Sequence, residues 1–181
     1  MTIKRNLKII TAVFILTLID QAMKILIHHC FMGEEFYFID SILGFKPHIN
    51  SDYSWVNSLT NLGIGLYMHI FLNTFLLLLT VAIFHFISVR YEENIIINIS
   101  FTFLLSGEIC SLIDKLFWGG SLDYILLNGL FIFDLKDVYL TVFELTVLLC
   151  LIFNYNRFKK FNVNKFIKEF IQYFKDKLLR K

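Results

Sequence analysis

Leu62–Val89 reads LGIGLYMHIFLNTFLLLLTVAIFHFISV, and no Asp, Glu, Lys or Arg falls between Asp52 and Arg90. A bilayer core of roughly 30 Å takes about 20 helical residues, so this stretch is long and apolar enough to cross one. Working outward, roughly Leu7–Ile27, Ile95–Ile113 and Asp137–Asn154 qualify by the same measure. Glu108 and Glu144 are the charges inside the third and fourth spans. Of the 181 residues 57% are apolar and 21 are Phe, while 18% are charged, against roughly 25% in a soluble domain. Mean hydropathy is +0.66. A soluble enzyme of this length needs a polar coat that this sequence cannot supply. The expected fold is an all-α integral membrane protein: four transmembrane helices, outward-facing connecting loops and a C-terminal amphipathic helix.

Lys and Arg set the orientation. Lys4, Arg5, Lys8, Arg90 and nine cations between Arg157 and Lys181 fall on one side; Lys46, Lys115 and Lys136 fall on the other. Both termini are therefore expected in the cytoplasm and the two longer connections outside. The first span is too long for a signal-peptide core, lacks a small-residue cleavage site and contains Asp20 and Lys24, so it is expected to stay in the membrane. Cys30, Cys110 and Cys150 form no CxxC, which argues against a disulfide framework or a cysteine-rich zinc module. Residues 1–155 are expected to form the membrane domain and 156–181 a cytoplasmic tail. In the tail, Val163, Phe166, Ile167, Phe170, Ile171, Phe174 and Leu178 recur at helical spacing among lysines. That pattern is expected of a helix lying on an anionic leaflet, with nucleic acid the less favoured partner.

Ionisable groups in or beside a bilayer are costly, so each is a candidate site. Asp20 and Lys24 are four apart on one helix face and placed to pair. Asp114, Lys115, Asp123, Asp134, Lys136 and Asp137 crowd the end of the third span, the second outer connection and the start of the fourth span. An ordinary wet loop is the plainer reading of such charges. Against it, Gly119-Gly120 permits a sharp turn after which the chain re-enters an apolar stretch carrying Asp123. Asp137 opens a helix, where a negative charge is favoured. Two carboxylates from two segments are thus placed to meet, share a proton and activate a water between them.

The residues also carry a family resemblance. Ser106-Gly107-Glu108-Ile109-Cys110-Ser111-Leu112-Ile113-Asp114-Lys115, then Gly119 and Ser121-Leu122-Asp123-Tyr124-Ile125, then Phe133-Asp134-Leu135-Lys136-Asp137 resemble the bacterial lipoprotein signal peptidase (signal peptidase II) family. That family reads approximately G-G-x-x-G-N-x-x-D-R-x-x-x-G-x-V-V-D-F/Y-I, followed by F-N-x-A-D. Asp20-Gln21-x-x-Lys24 and Asn61-Leu62-Gly63 resemble its D-x-x-x-K and N-x-G. The resemblance reaches to about Asn154 and leaves out the tail.

It implies an intramembrane aspartyl endopeptidase of the bacterial cytoplasmic membrane, with Asp123 and Asp137 as the catalytic pair. The implied substrate is a prolipoprotein bearing a diacylglyceryl-cysteine, cut just before that cysteine at the outer face. Asp20, Lys24, Asn61, Gly63, Gly107, Ser111, Asp114, Lys115, Asp134 and Lys136 fall on positions that bind substrate or support the pair. For Asp20, Lys24 and Asp114 polar helix pairing is an equal alternative. For Asn61 and Gly63 it is a turn or helix start, and Asn57 competes for the Asn61 role. The chain departs from the pattern at Ser111 for Asn, Lys115 for Arg, Cys110 for Gly, Asp134 for Asn, Lys136 for Ala and Glu108 for a small residue. Lys for Arg loses a bidentate fork. Asp134 and Lys136 add charges of opposite sign beside the pair, with opposing effects on its protonation.

His28, His29, His48, His69 and His85 show no metal-ligand spacing, so neither metal nor cofactor is expected. Trp118 and Tyr124 read as interface aromatics, and a Ser/Lys pair with Lys115 is a remote alternative. The expected partners are a lipid-modified precursor and membrane lipids, with the chain a monomer. Two other functions compete: a non-catalytic paralogue that binds lipoprotein or peptide, and a small proton- or ion-coupled membrane protein.

Overall fold

In a computed structural model, residues 2–54, 57, 60, 62–155, 159 and 161–179 are described. The long helices are α1 (Thr2–Cys30), α2 (Leu66–Arg90), α3 (Ile95–Ile113) and α4 (Leu135–Phe153), followed by the tail helix α5 (Val163–Leu179). Among the described residues three helical stretches, Arg5–Cys30, Leu66–Arg90 and Ile95–Trp118, are long and apolar enough to cross a membrane. α4 is 19 residues long but carries Lys136, Asp137 and Glu144. Within its most apolar window only 17% of the second stretch is buried inside the chain, at a mean hydropathy of 2.3. Phe14, Phe71, Phe75 and Leu78 are among the many large apolar side chains left exposed. Apolar surface on this scale demands lipid rather than water.

The expectation of an all-α chain is corrected. A four-stranded antiparallel sheet, in the order β1 (Phe36–Ile39), β2 (Leu43–Asn50), β3 (Ser121–Leu127) and β4 (Phe131–Phe133), joins the first connection to the second. Asn50 stands opposite Ser121, and His48 opposite Asp123. The sheet seats on the end of α1, where Ile27, Phe45, Leu122 and Tyr124 form one buried cluster. A second cluster (Ile9, Val13 and Leu105) ties α1 to α3 at the other end.

Between helices, lipid supplies no hydrophobic drive, so small residues and polar contacts hold the bundle. The buried stripe of α3 contains Ser100, Thr102, Ser106 and Gly107. Each hydroxyl in that stripe donates to the carbonyl four residues back. A Cβ on Gly107 would lie 2.5 Å from Leu140 Cδ2, 2.7 Å from its Cγ and 3.4 Å from the Lys136 carbonyl oxygen. Gly107 thus sets how closely α4 approaches. Gly107→Val is expected to destabilise by about 1–3 kcal/mol, as overpacking does, and Gly107→Ala by less. Thermal unfolding of the variants in one detergent measures both.

The tail helix α5 packs on α2 through edge-to-face contacts of Phe86 with Phe166, Phe170 and Tyr173. Val163, Ile167, Ile171 and Leu178 remain exposed.

Candidate active site

The C-terminal ends of α1 and α3, the start of β3 and the N-terminus of α4 converge at one end of the bundle, and the ionisable residues gather there. After α3, Asp114–Trp118 makes one wide π-helical turn. Gly119 stops it in the left-handed region at φ 63°. A Cβ on Gly120 would fall 2.6 Å from the Asn50 carbonyl oxygen, so a glycine there lets β2 come alongside. Three residues later, Asp123 is buried in β3.

Asp123 accepts hydrogen bonds at both oxygens: from Ser121 Oγ at 2.7 Å and from Asn50 Nδ2 at 2.9 Å. Asp137 is positioned differently. Its carboxylate accepts from the Asp134 backbone N–H, while the Asp134 carboxylate accepts from the Asp137 N–H, a reciprocal cap on the start of α4. The Asp137 side chain is 41% exposed, against 4% for Asp123. Carboxylate oxygens of Asp123, Asp134 and Asp137 lie within 4.8 Å of one another. The two predicted carboxylates therefore meet, one buried and one open.

Beneath them lies a buried ion network. Lys24 is fully buried, with its Nζ 3.0 Å from Asp20, 2.6 Å from Asp114 and 2.7 Å from Asp134. The other Asp20 oxygen accepts from the Lys136 backbone N–H at 3.1 Å, tying α1 to α4. Lys136 Nζ donates to Ser121 Oγ at 2.6 Å and to Asp134 at 2.7 Å. It also lies 3.5 Å from Asp114, 3.6 Å from Asp123 and 3.7 Å from Asp137. Burial opposes the charge on Asp134, but the ammonium groups of Lys136 and Lys24 outweigh it and hold that carboxyl below the usual carboxylate range.

Asp20, Lys24, Asp114, Asp123, Asp134, Lys136 and Asp137 thus form one cluster, and Gly107 packs against the backbone of Lys136. Lys115 stands apart: its Nζ bonds Ser111 Oγ at 2.7 Å, and among the described residues no carboxylate comes within 4.0 Å of it. Gly63 is exposed in the loop before α2 with φ 65°, and Asn61 lies outside the described residues. Asn57 pins that loop, donating to the Asp52 and Ile64 carbonyls and accepting from the Ile64 N–H.

Three contributors went unread in the sequence. Ser121 and Asn50 orient Asp123, and Gln21 bridges Asp20 and Asp114 while accepting from Trp118 Nε1. Gln21 sits inside the Asp20–Lys24 motif, whereas the Asn50–Ser121 pairing depends on the sheet.

The profile of the family described as Signal peptidase (SPase) II matches residues 12–153. The chain belongs to the signal peptidase II family. Membership makes it a membrane protease of the lipoprotein-processing type, and the matched span holds every member of the carboxylate cluster. Among solved structures, one described as a bacterial membrane enzyme determined in meso at 2.3 Å superposes with a TM-score of 0.69 and 20% identity, covering 86% of this chain and 94% of its own. A second bacterial membrane enzyme, determined in meso at 1.9 Å, gives 0.65 and 22%, covering 80% and 92%. At these identities the likeness is one of fold. No curated protein matches the chain. The tail helix α5 lies beyond the signal peptidase II match.

Proposed function

We propose that this chain is an aspartyl endopeptidase that cleaves lipid-modified precursor proteins just before the diacylglyceryl-cysteine. The supporting observation is the asymmetric pair: Asp123 buried with both oxygens accepting, Asp137 half exposed on a capped helix start. An acceptor on both oxygens suits Asp123 to the base role, taking a proton from the attacking water. One Asp137 oxygen is held by the cap; the other carries the shared proton and gives it to the scissile carbonyl oxygen as water attacks. The proton that Asp123 has taken from water goes to the leaving amine as the C–N bond breaks, and the carbonyl's proton returns to Asp137.

In this reading α4 is the fourth span, both termini are cytoplasmic and the carboxylates open toward the outer face, where lipid-modified precursors reach them from the membrane plane. The exposed stripe Val163, Ile167, Ile171 and Leu178 of α5 rests on the opposite, anionic leaflet.

Purified protein is expected to hydrolyse a diacylglyceryl-cysteine precursor peptide at rates unchanged by EDTA. Three carboxylates within 4.8 Å resemble a cation site, but the Lys136 ammonium already lies within 4 Å of each of them. Loss of cleavage in EDTA with recovery on adding zinc would overturn the aspartyl mechanism.

That same ammonium favours a second reading, in which the chain binds lipid-modified precursors without cutting them. A cation beside both carboxylates disfavours the singly protonated pair that the reaction needs. Stoichiometric binding of an uncut precursor would favour this reading.

A further inference from the structure

We propose that Lys136 is a positioning residue of the catalytic pair, a fixed cation beneath Asp123 and Asp137 that confines cleavage to a lower pH range than the bare pair would have. The proposal rests on the reading of Asp123 and Asp137 as the catalytic dyad.

The geometry carries it. Lys136 is 6% exposed, so it forms the floor of the site rather than part of its mouth. Strong bonds to Ser121 Oγ at 2.6 Å and Asp134 at 2.7 Å fix the ammonium. Its distances to the two dyad carboxylates are nearly equal, 3.6 and 3.7 Å. Ser121 links the groups further: it accepts from Lys136 and donates to Asp123. A proton shared by the dyad must therefore be held within about 4 Å of a positive charge. That charge favours losing the proton, and without the proton neither carboxylate donates to the scissile carbonyl.

Charged and titratable groups face Lys136 from every element around it. From α1 come Asp20, at its backbone N–H, and Lys24, which shares Asp134 with it. The end of α3 contributes Asp114 and, farther away, Lys115. β3 brings Asp123 and Tyr124, β2 brings His48 opposite Asp123, and α4 itself brings Asp134 and Asp137. Apart from Lys24 and Lys136, the groups within 4.0 Å ion-pairing range in this cluster are carboxylates. Lys24 is not within that range of either dyad member, so Lys136 alone supplies the dyad with a cation among the described residues. The Asp134–Lys136 pair is also neutral as a unit, so removing both leaves the charge of the rest of the cluster unaltered.

That neutrality gives the experiment. Asp134→Asn with Lys136→Ala removes the pair together, keeps an asparagine cap on α4 and leaves Lys24 with Asp20 and Asp114. Rates of cleavage (kcat/KM) of a diacylglyceryl-cysteine precursor peptide are measured across pH for the full chain, this double variant and Lys136→Arg, in one detergent. In the double variant the alkaline limb is expected to move up by about one pH unit, the lost Asp134 anion offsetting part of the effect of the lost cation, giving about a tenfold faster reaction on that limb. Lys136→Arg keeps the charge, and its limb is expected to stay near that of the unaltered chain. A folded double variant with an unmoved limb, or cleavage by neither protein, would overturn the proposal. Asp137→Asn in both backgrounds separates the two readings. If it abolishes cleavage while the limb stays put, only the role of Lys136 fails; if cleavage survives it, the dyad reading fails.

Discussion

Asp123→Asn is expected to lower the cleavage of a lipid-modified precursor by about a thousandfold or more, with thermal unfolding little changed. Asparagine keeps the size of the side chain and accepts from Ser121 Oγ or Asn50 Nδ2, so the local bonds at 2.7 and 2.9 Å are replaced only in part. It cannot take a proton from water at its remaining oxygen. Asp137→Asn is expected to fail as badly for the complementary reason, since an amide does not give a proton to the scissile carbonyl oxygen. Because the pair works as one unit, the double variant should be no slower than either single one. Additive losses would mean that the two carboxylates act independently.

Lys24→Met is expected to be the most destabilising single change in the chain. Lys24 is fully buried, and its ammonium is the common partner of Asp20, Asp114 and Asp134, at 3.0, 2.6 and 2.7 Å. Removing one member of a buried ion pair strands the other charge, at a cost of about 3–5 kcal/mol. Here three carboxylates, on α1, at the end of α3 and at the cap of α4, lose that partner together. Melting in detergent is expected to fall by more than about 5 °C. Adding Asp114→Asn should recover part of the loss, because one stranded charge is then gone. A melting temperature unchanged by Lys24→Met would show that the three carboxyls do not depend on its charge.

The helices were legible because lipid imposes a uniform composition over a fixed length. Ile95–Ile113 was read to the residue, and Leu62–Val89 and Asp137–Asn154 lie within a few residues of α2 and α4. The sheet was not legible for two physical reasons. β1 is only four residues long and exposed throughout, so it lacks the alternation that marks a half-buried strand. β2 and β3 pair across more than seventy residues of sequence, and no turn announces such a pairing. One local signal was overlooked: Asn128-Gly129, with Gly129 at φ 76°, joins β3 to β4 as a hairpin turn.

The site divides in the same way. Asp20 and Lys24 pair as their spacing implies, at 3.0 Å. The meeting of Asp123 with Asp137 was foreseen from segment order and resemblance together. Lys136 was expected beside that pair as an added cation, but the depth of its side chain, down among the carboxylates, was not read, because it follows from the cap that Asp134 and Asp137 make together. A cap seen only as two more charges hides that consequence. Ser111 and Lys115 read as part of the same rim, yet their own helix satisfies them, with the ammonium bonded to the hydroxyl four residues back.

The most direct test is the intact mass of a diacylglyceryl-cysteine precursor after incubation with the purified full chain. Two products are expected, one of them beginning at the lipid-modified cysteine, and neither is expected from Asp123→Asn protein. A precursor recovered whole at every pH, or cut at another peptide bond, would contradict the account.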